Sequence, residues 1–302
     1  VNVMDQSSEL IKSQTHRHFE KIQTRWSAID SMAGVGIDPD ADKIPQEIWD
    51  QVGGRDNLAA GFLLFSQTII DATAPYTADY KVNANFFPGK QGREALTGVF
   101  KYLKERYPQV LRVCDGKFAD VGHTAEKLAE EIFDQLDADA VLLNPYLGLD
   151  ALKPFISRPD KTVILCINTS NPSAGEVQNL LLDSGKLLWQ HLLEKAITEW
   201  NSFGNIIPVL SATHPERLTN TRKIIGETPV LLAGVGTQGG SLEASVPPLL
   251  DSRGYGLLIS SSRKIIYAKR QEGESIGAAA EREIIMLRDK INQVKERGLF
   301  KK

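Results

Sequence analysis

Asp115, Lys117 and Asp120 place three charges inside one short stretch, Asp115-Gly116-Lys117-Phe118-Ala119-Asp120-Val121-Gly122-His123-Thr124. Residues two apart in an extended chain share a face, so Asp115 and Lys117 point the same way. Like charges ~4 Å apart in a closed pocket, at an effective dielectric of ~20, interact by about 4 kcal/mol. An ammonium held among carboxylates could therefore do two things. A substrate carboxylate set against an aspartate is pushed toward leaving as CO2, and the lysine then stabilises and protonates the carbanion left behind. Taken alone the pattern is short. It reads also as a helix cap at Asp120 or Thr124 beside a surface ion pair.

Residues of this kind need a frame. Short, continuously apolar runs recur at about 33–38, 77–82, 110–115, 139–143, 162–168, 206–211, 229–234 and 256–261. Apolar runs without alternation are expected of parallel strands buried on both faces. Helical patterns lie between them, among them 91–106, 124–137, 176–202 and 214–226, with a helix before the first strand (about 5–30) and one after the last (about 272–296). This alternation predicts an α/β (β/α)8 TIM barrel with an extra N-terminal helix. We expect one domain over residues 1–302, its barrel core at about 30–296; SVPP and NPSAG read as loops rather than linkers. Such barrels draw their catalytic groups from the strand C-termini and the loops that follow. Asp38, Lys81, Asp115, Lys117, Asn144, Ser170, Thr213, Gly236 to Gly239 and Arg263 stand there.

Composition narrows the class. The net charge of −3 gives no bulk attraction to nucleic acid or an anionic membrane, so any phosphate site must be built locally. Cys114 and Cys166 lie in apolar runs with no metal-ligand spacing and read as reduced, buried thiols. No run of ~20 apolar residues and no secretory leader is seen, and the chain reads as cytoplasmic. The basic tail ERGLFKK reads as a frayed end. His16 and His18 fall on a charged helix, His191 and His214 read as packing or helix-start residues, and His123 stands near the charged stretch. None has zinc-ligand spacing, so no metal site is expected. Trp26, Trp49, Trp189 and Trp200 fall in helical patterns and read as packing.

Gly234-Val-Gly236-Thr-Gln238-Gly239 is a literal G-x-G-x-x-G, but it follows the seventh strand, and the next strand ends without an acid. A dinucleotide fingerprint opens an early βαβ unit, so a phosphate loop is the better reading. Barrels often bind phosphate in the loops after strands seven and eight, and Arg263 adds a planar donor fork there.

The charged stretch resembles the D-x-K-x-x-D-[IV]-x-x-T signature of the orotidine 5'-phosphate decarboxylases. In order along the chain, GVGIDPD (34–40), YKVN (80–83), LLNPYLGLDALKPF (142–155), NTSNPSAG (168–175), LSATHPE (210–216), AGVGTQGG (233–240) and SSRKIIYA (261–268) resemble segments of that family's longer bacterial branch. The likeness runs from about residue 30 to 270. Phe118 and Ala119 stand where many relatives of that branch carry Arg and Gly, and KFAD looks more like the eukaryotic branch. His123 replaces the motif asparagine.

The resemblance implies conversion of orotidine monophosphate to uridine monophosphate and CO2 in pyrimidine biosynthesis, with no cofactor. Residue by residue it implies Lys117 as proton donor to C6, with Asp115 holding Lys117 and facing the substrate carboxylate. Lys81 joins the network and contacts ribose, as does Asp38, while Ser170 bonds the pyrimidine. Gln238 and Arg263, with backbone N–H groups near Gly236 and Gly239, hold the phosphate. It implies a homodimer in which Asp120 and Thr124 serve the partner's site. Two other classes remain open: a Mg2+-dependent phosphosugar barrel and an inactive binding protein on the same fold. The first needs carboxylates at the early strand ends, where Lys81 and Asn83 stand. The second would not need to keep so costly a set of charges.

Overall fold

The computed structural model of the chain describes residues 19–235 and 239–299. Eight parallel strands close into a barrel in chain order: β1 (Ala33–Ile37), β2 (Asp79–Asn83), β3 (Leu111–Phe118), β4 (Ala140–Leu143), β5 (Thr162–Cys166), β6 (Ile206–Ser211), β7 (Val230–Ala233) and β8 (Leu257–Ser261). β1 pairs with β2 on one side and with β8 on the other, which closes the ring. All eight expected strands are present, most with ends shifted by one or two residues. The strands are buried nearly throughout, as helices on the outside and side chains within leave them no wet face.

The helical layer is α1 (residues 19–29), α2 (Gln46–Gln51), α3 (Leu58–Thr73), α4 (Gly89–Arg106), α5 (Gly122–Ala129), α6 (Leu149–Ile156), α7 (Ala174–Gln178), α8 (Leu188–Glu194), α9 (Thr221–Ile225), α10 (Leu242–Ser245), α11 (Arg263–Ile266) and α12 (Ile276–Leu299). The expected N-terminal helix is described from residue 19 onward; its earlier part, with His16 and His18, lies outside the described residues. Asp30, at the end of α1, takes hydrogen bonds from Tyr255, Asn292 and Lys295, tying the first helix to the last.

Three elements differ from the expected pattern. The helix expected over 214–226 is a 3-10 turn (Pro215–Arg217) followed by the short α9. The long helix over 176–202 is two helices, the short α7 and α8, the latter continuing as a π-helical segment over Lys195–Glu199. Between them Leu181 and Leu187 form an antiparallel bridge around a turn at Gly185, whose φ of +77° suits glycine. Apolar residues at helical spacing were read through this turn. The third difference is β3, which runs past Asp115 to Phe118, so Asp115 and Lys117 lie inside the strand while Asp120 follows it. Separately, Leu58–Tyr76 is long and apolar enough by composition to cross a membrane, contrary to expectation. Here α3 buries Phe62, Phe65, Ile69 and Ile70 against the barrel, as a core helix does.

Alternation along β2 decides what reaches the barrel axis. Tyr80 points to the helix layer, bonding the Thr73 hydroxyl at 2.8 Å and the Ile70 carbonyl at 2.9 Å. Asp79 and Lys81, on the opposite face, point inward. The four tryptophans are buried packing residues.

Candidate active site

A cavity of about 380 Å3 opens where the strands end, within the size range of small-molecule sites. Asp38 from the end of β1, Lys81 from β2, Asp115 and Lys117 from β3, Ser170 from the loop after β5 and Arg263 at the start of α11 all line it. Six of the expected site residues thus converge from five places in the chain.

Asp115 is the centre of the array. It is 1% exposed, and it binds Lys81 Nζ at 2.7 Å through one carboxylate oxygen and Lys117 Nζ at 3.0 Å through the other. Burial acts to raise its pKa, but the two ammonium groups outweigh burial and hold the carboxyl below its ordinary range. Lys81 is the mirror case. Burial acts to lower its pKa, yet the negative charges of Asp115, Asp38 and Asp79 more than offset this and raise it. Both groups are therefore charged at neutral pH.

Lys117 reaches Asp115 by a route that simple strand alternation does not describe. Its φ is +50°, and the pairing of β3 with β4 shifts register between Cys114 and Phe118. Left-handed backbone at a non-glycine residue is strained by about 1–3 kcal/mol and persists where the surroundings fix it. Here they do. Phe118 is re-paired with Leu143, and its ring lies against Gly116, where a Cβ would come within 2.2 Å of it. The bulge leaves the Lys117 side chain 54% exposed toward the cavity mouth.

Asp38 is held by Tyr267, whose hydroxyl donates to the Asp38 carbonyl at 3.2 Å and accepts from the Asp40 N–H at 2.6 Å. Asp38 Oδ1 and Ser262 Oγ are buried with no hydrogen-bond partner. Ser262 is the N-cap residue of α11, yet its hydroxyl does not cap. Buried polar atoms are rarely left unpaired, and these two border the cavity. Ser262 was not singled out from sequence; a serine at a helix N-cap reads there as a cap. Lys264, also overlooked, lines the cavity beside Arg263 and lies 3.4 Å from Glu283.

Gly234 and Gly239 have φ of +84° and +80°, and the loop closes through a Gly240 N–H to Gly234 carbonyl bond of 3.0 Å before α10. Gly236 and Gln238 lie outside the described residues. Asp120 and Thr124 are not brought to the cavity of their own chain. Asp120 accepts from the Val121 N–H at 2.8 Å, and Thr124 is exposed on α5. Neither caps α5, whose N-cap is Val121 without a side-chain bond. His123 is exposed beside Glu126. Asn144 turns its side chain onto the Tyr146 N–H, and Thr213 bonds Ser211, so both serve their own loops.

The family model of the orotidine 5'-phosphate decarboxylase / HUMPS family matches residues 65–276. The chain belongs to this family. An orotidine 5'-phosphate decarboxylase of Janthinobacterium sp. is 37% identical over 274 residues, spanning 91% of this chain and 97% of the relative. The solved structure of Leishmania donovani OMP decarboxylase is 30% identical with a TM-score of 0.78, covering 92% of this chain and 99% of that one. Leishmania donovani UMP synthase has the same TM-score at 31% identity, but this chain spans only 56% of its length. Orotidine 5'-phosphate decarboxylases of bacterial and eukaryotic sources thus share both sequence and barrel with this chain.

Proposed function

We propose that the chain decarboxylates orotidine 5'-monophosphate to uridine 5'-monophosphate and CO2, within one barrel domain and without a cofactor or metal. The observation that carries this is Asp115, buried and bridging two lysine ammonium groups at the floor of a cavity. The bond from C6 to the carboxylate breaks, and its electron pair stays on C6. Asp115 faces the departing carboxylate. The Lys117 ammonium lies beside C6, stabilises the negative charge there and gives it a proton. Water then reprotonates Lys117.

Asp38 and Lys81 bind the ribose hydroxyls, which supply partners for the unpaired Asp38 oxygen. Ser170 bonds the pyrimidine. Arg263, Gln238 and the backbone around Gly236 and Gly239 hold the phosphate. Binding energy from phosphate and ribose positions the ring against the array.

The same reading makes the working unit a cytoplasmic homodimer, each site completed by Asp120 and Thr124 of the other copy. Support comes from the rim that carries them. Phe86, Val121, Tyr146 and Leu147, beyond the ends of β2, β3 and β4, are 40%, 51%, 77% and 42% exposed. Large apolar side chains clustered on one rim are a common mark of a protein contact surface.

The test is loss of orotidine monophosphate absorbance with EDTA present and no cofactor added. Conversion to uridine monophosphate supports the reading. A folded, dimeric protein that converts nothing, but acts on phosphosugars with Mg2+, would replace it by the metal-dependent branch of the fold.

A further inference from the structure

Asp79 opens β2, two residues before Lys81 on the same inward face, and is fully buried. It lies beside Gly34 of β1, which pairs in register with Ser260 of β8. The carboxyl lies across the empty side of Gly34: a Cβ there would come within 2.2 Å of Oδ1. On the far side Ser260 donates its hydroxyl to Oδ2 at 2.8 Å. Oδ1 has no hydrogen-bond partner. An unpaired, solvent-free carboxylate is among the most costly groups a barrel core can hold. Glycine at 34 and serine at 260 make room for it and give it its one donor. Beyond its share in the charge balance of Lys81, no part of the chemistry described above uses it.

We infer that Asp79 is a positioning residue of the array, a carboxylate one layer below Lys81 whose field helps fix where the already charged Lys81 ammonium rests beneath the substrate. The groups facing this position are few. Lys81 stands above it on β2, and Asp115 and Lys117 on β3 and Asp38 on β1 lie higher; β8 offers the Ser260 hydroxyl, which also lines the catalytic cavity. Burial pushes the Asp79 pKa up to about 6, with Ser260 and Lys81 opposing. Above that pH Asp79 is ionised and adds its field to that of Asp115. Below it the carboxyl is neutral, and Lys81 loses one of its three anionic neighbours. Two residues of strand rise ~6–7 Å, and at an effective dielectric near 20 that separation corresponds to about a tenfold to hundredfold effect on how firmly the Lys81 ammonium is held, Lys81 itself staying charged throughout.

The inference rests on the proposed decarboxylation, so its test uses two readouts. The first is kcat against pH at saturating orotidine monophosphate, for the wild type, Asp79→Asn and Ser260→Ala. Saturation matters because a phosphate monoester itself titrates near pH ~6 and would shape kcat/KM. The wild type should lose kcat below about pH 6. Asp79→Asn should keep its fold, fall about tenfold or more at pH 8, and show no step near 6. Ser260→Ala should move the step upward, because the ionised carboxyl loses its donor. The second readout is the infrared band of a protonated carboxyl, titrated without substrate. A band that grows on acidification in the wild type and is missing in Asp79→Asn assigns the group directly. An Asp79→Asn enzyme within twofold of wild type and with an unchanged profile overturns the inference while leaving the decarboxylation intact. A wild type that turns over no substrate but shows the titrating band removes the reaction and keeps the buried group.

Discussion

Replacing Asp115 by asparagine preserves shape and removes one charge from between two lysines. At an effective dielectric of ~20, an ion pair at the 2.7 Å of Lys81 attracts by about 6 kcal/mol, before desolvation is subtracted. The Lys117 pair, at 3.0 Å, is worth far less than its Coulomb figure because Lys117 is half exposed. Breaking a buried pair on one side typically costs about 3–5 kcal/mol, since the remaining ion keeps its desolvation penalty. The amide worsens the match by turning an N–H toward an ammonium. At roughly 2 °C per kcal/mol for a chain of this size, Asp115→Asn should melt about 6–10 °C lower at pH 8. The pH dependence has a definite sign. The Asp115 pKa is depressed on folding, so its contribution is present above the unfolded value near ~3.9 and fades as pH falls through the lower folded value. Calorimetry from pH 8 downward should therefore show a constant gap between wild type and variant that closes only in acid. Turnover should fall by at least about a hundredfold, the usual scale for deleting one preorganised electrostatic element. A variant that melts at or above the wild-type temperature at pH 8 would refute the account of Asp115 as the charge that holds the lysines.

Arg263→Ala should raise KM for orotidine monophosphate strongly with a smaller effect on kcat, read from steady-state absorbance kinetics; an unchanged KM would place the phosphate elsewhere. Lys117→Ala and Asp120→Ala should each be nearly inactive and folded. Mixing them, with subunit exchange confirmed by native mass spectrometry, should restore a fraction of activity, because one site of each mixed dimer keeps Lys117 and Asp120 intact. No recovery on exchange would count against shared sites.

The frame was legible because buried parallel strands announce themselves as apolar runs, and eight of them appeared near the expected positions. Charged residues where those runs stop, such as Asp38, Lys81 and Arg263, were legible for the same reason: they contrast with what precedes them. Two kinds of feature were hidden. The region after Gln178 carries apolar residues at helical spacing, but Gly185 turns the chain back, and a single glycine does not reveal whether it ends a helix or is tolerated within one. Asp79 and Ser262 were missed because their roles depend on neighbours distant in the chain. An aspartate opening a strand reads as a loop remnant until Gly34 is seen to make space for it. Lys117 was placed beside Asp115 on an incomplete argument, since an irregular strand rather than simple alternation brings it there.

The row formed by Gly34, Asp79 and Ser260 also has a bearing on the order of folding. It lies on the seam where the first and last strands meet, and its hydrogen bond joins residues 181 positions apart. During synthesis the N-terminal strands emerge first and wait, with one flank of β1 unpaired, until β8 arrives. Contacts of such long range are slow to form, because the chain's freedom is given up before they repay it. The buried aspartate can be sealed from water only at that final step. In refolding, the appearance of a carboxyl inaccessible to solvent would thus mark ring closure itself, separately from the earlier gain of helices and strands.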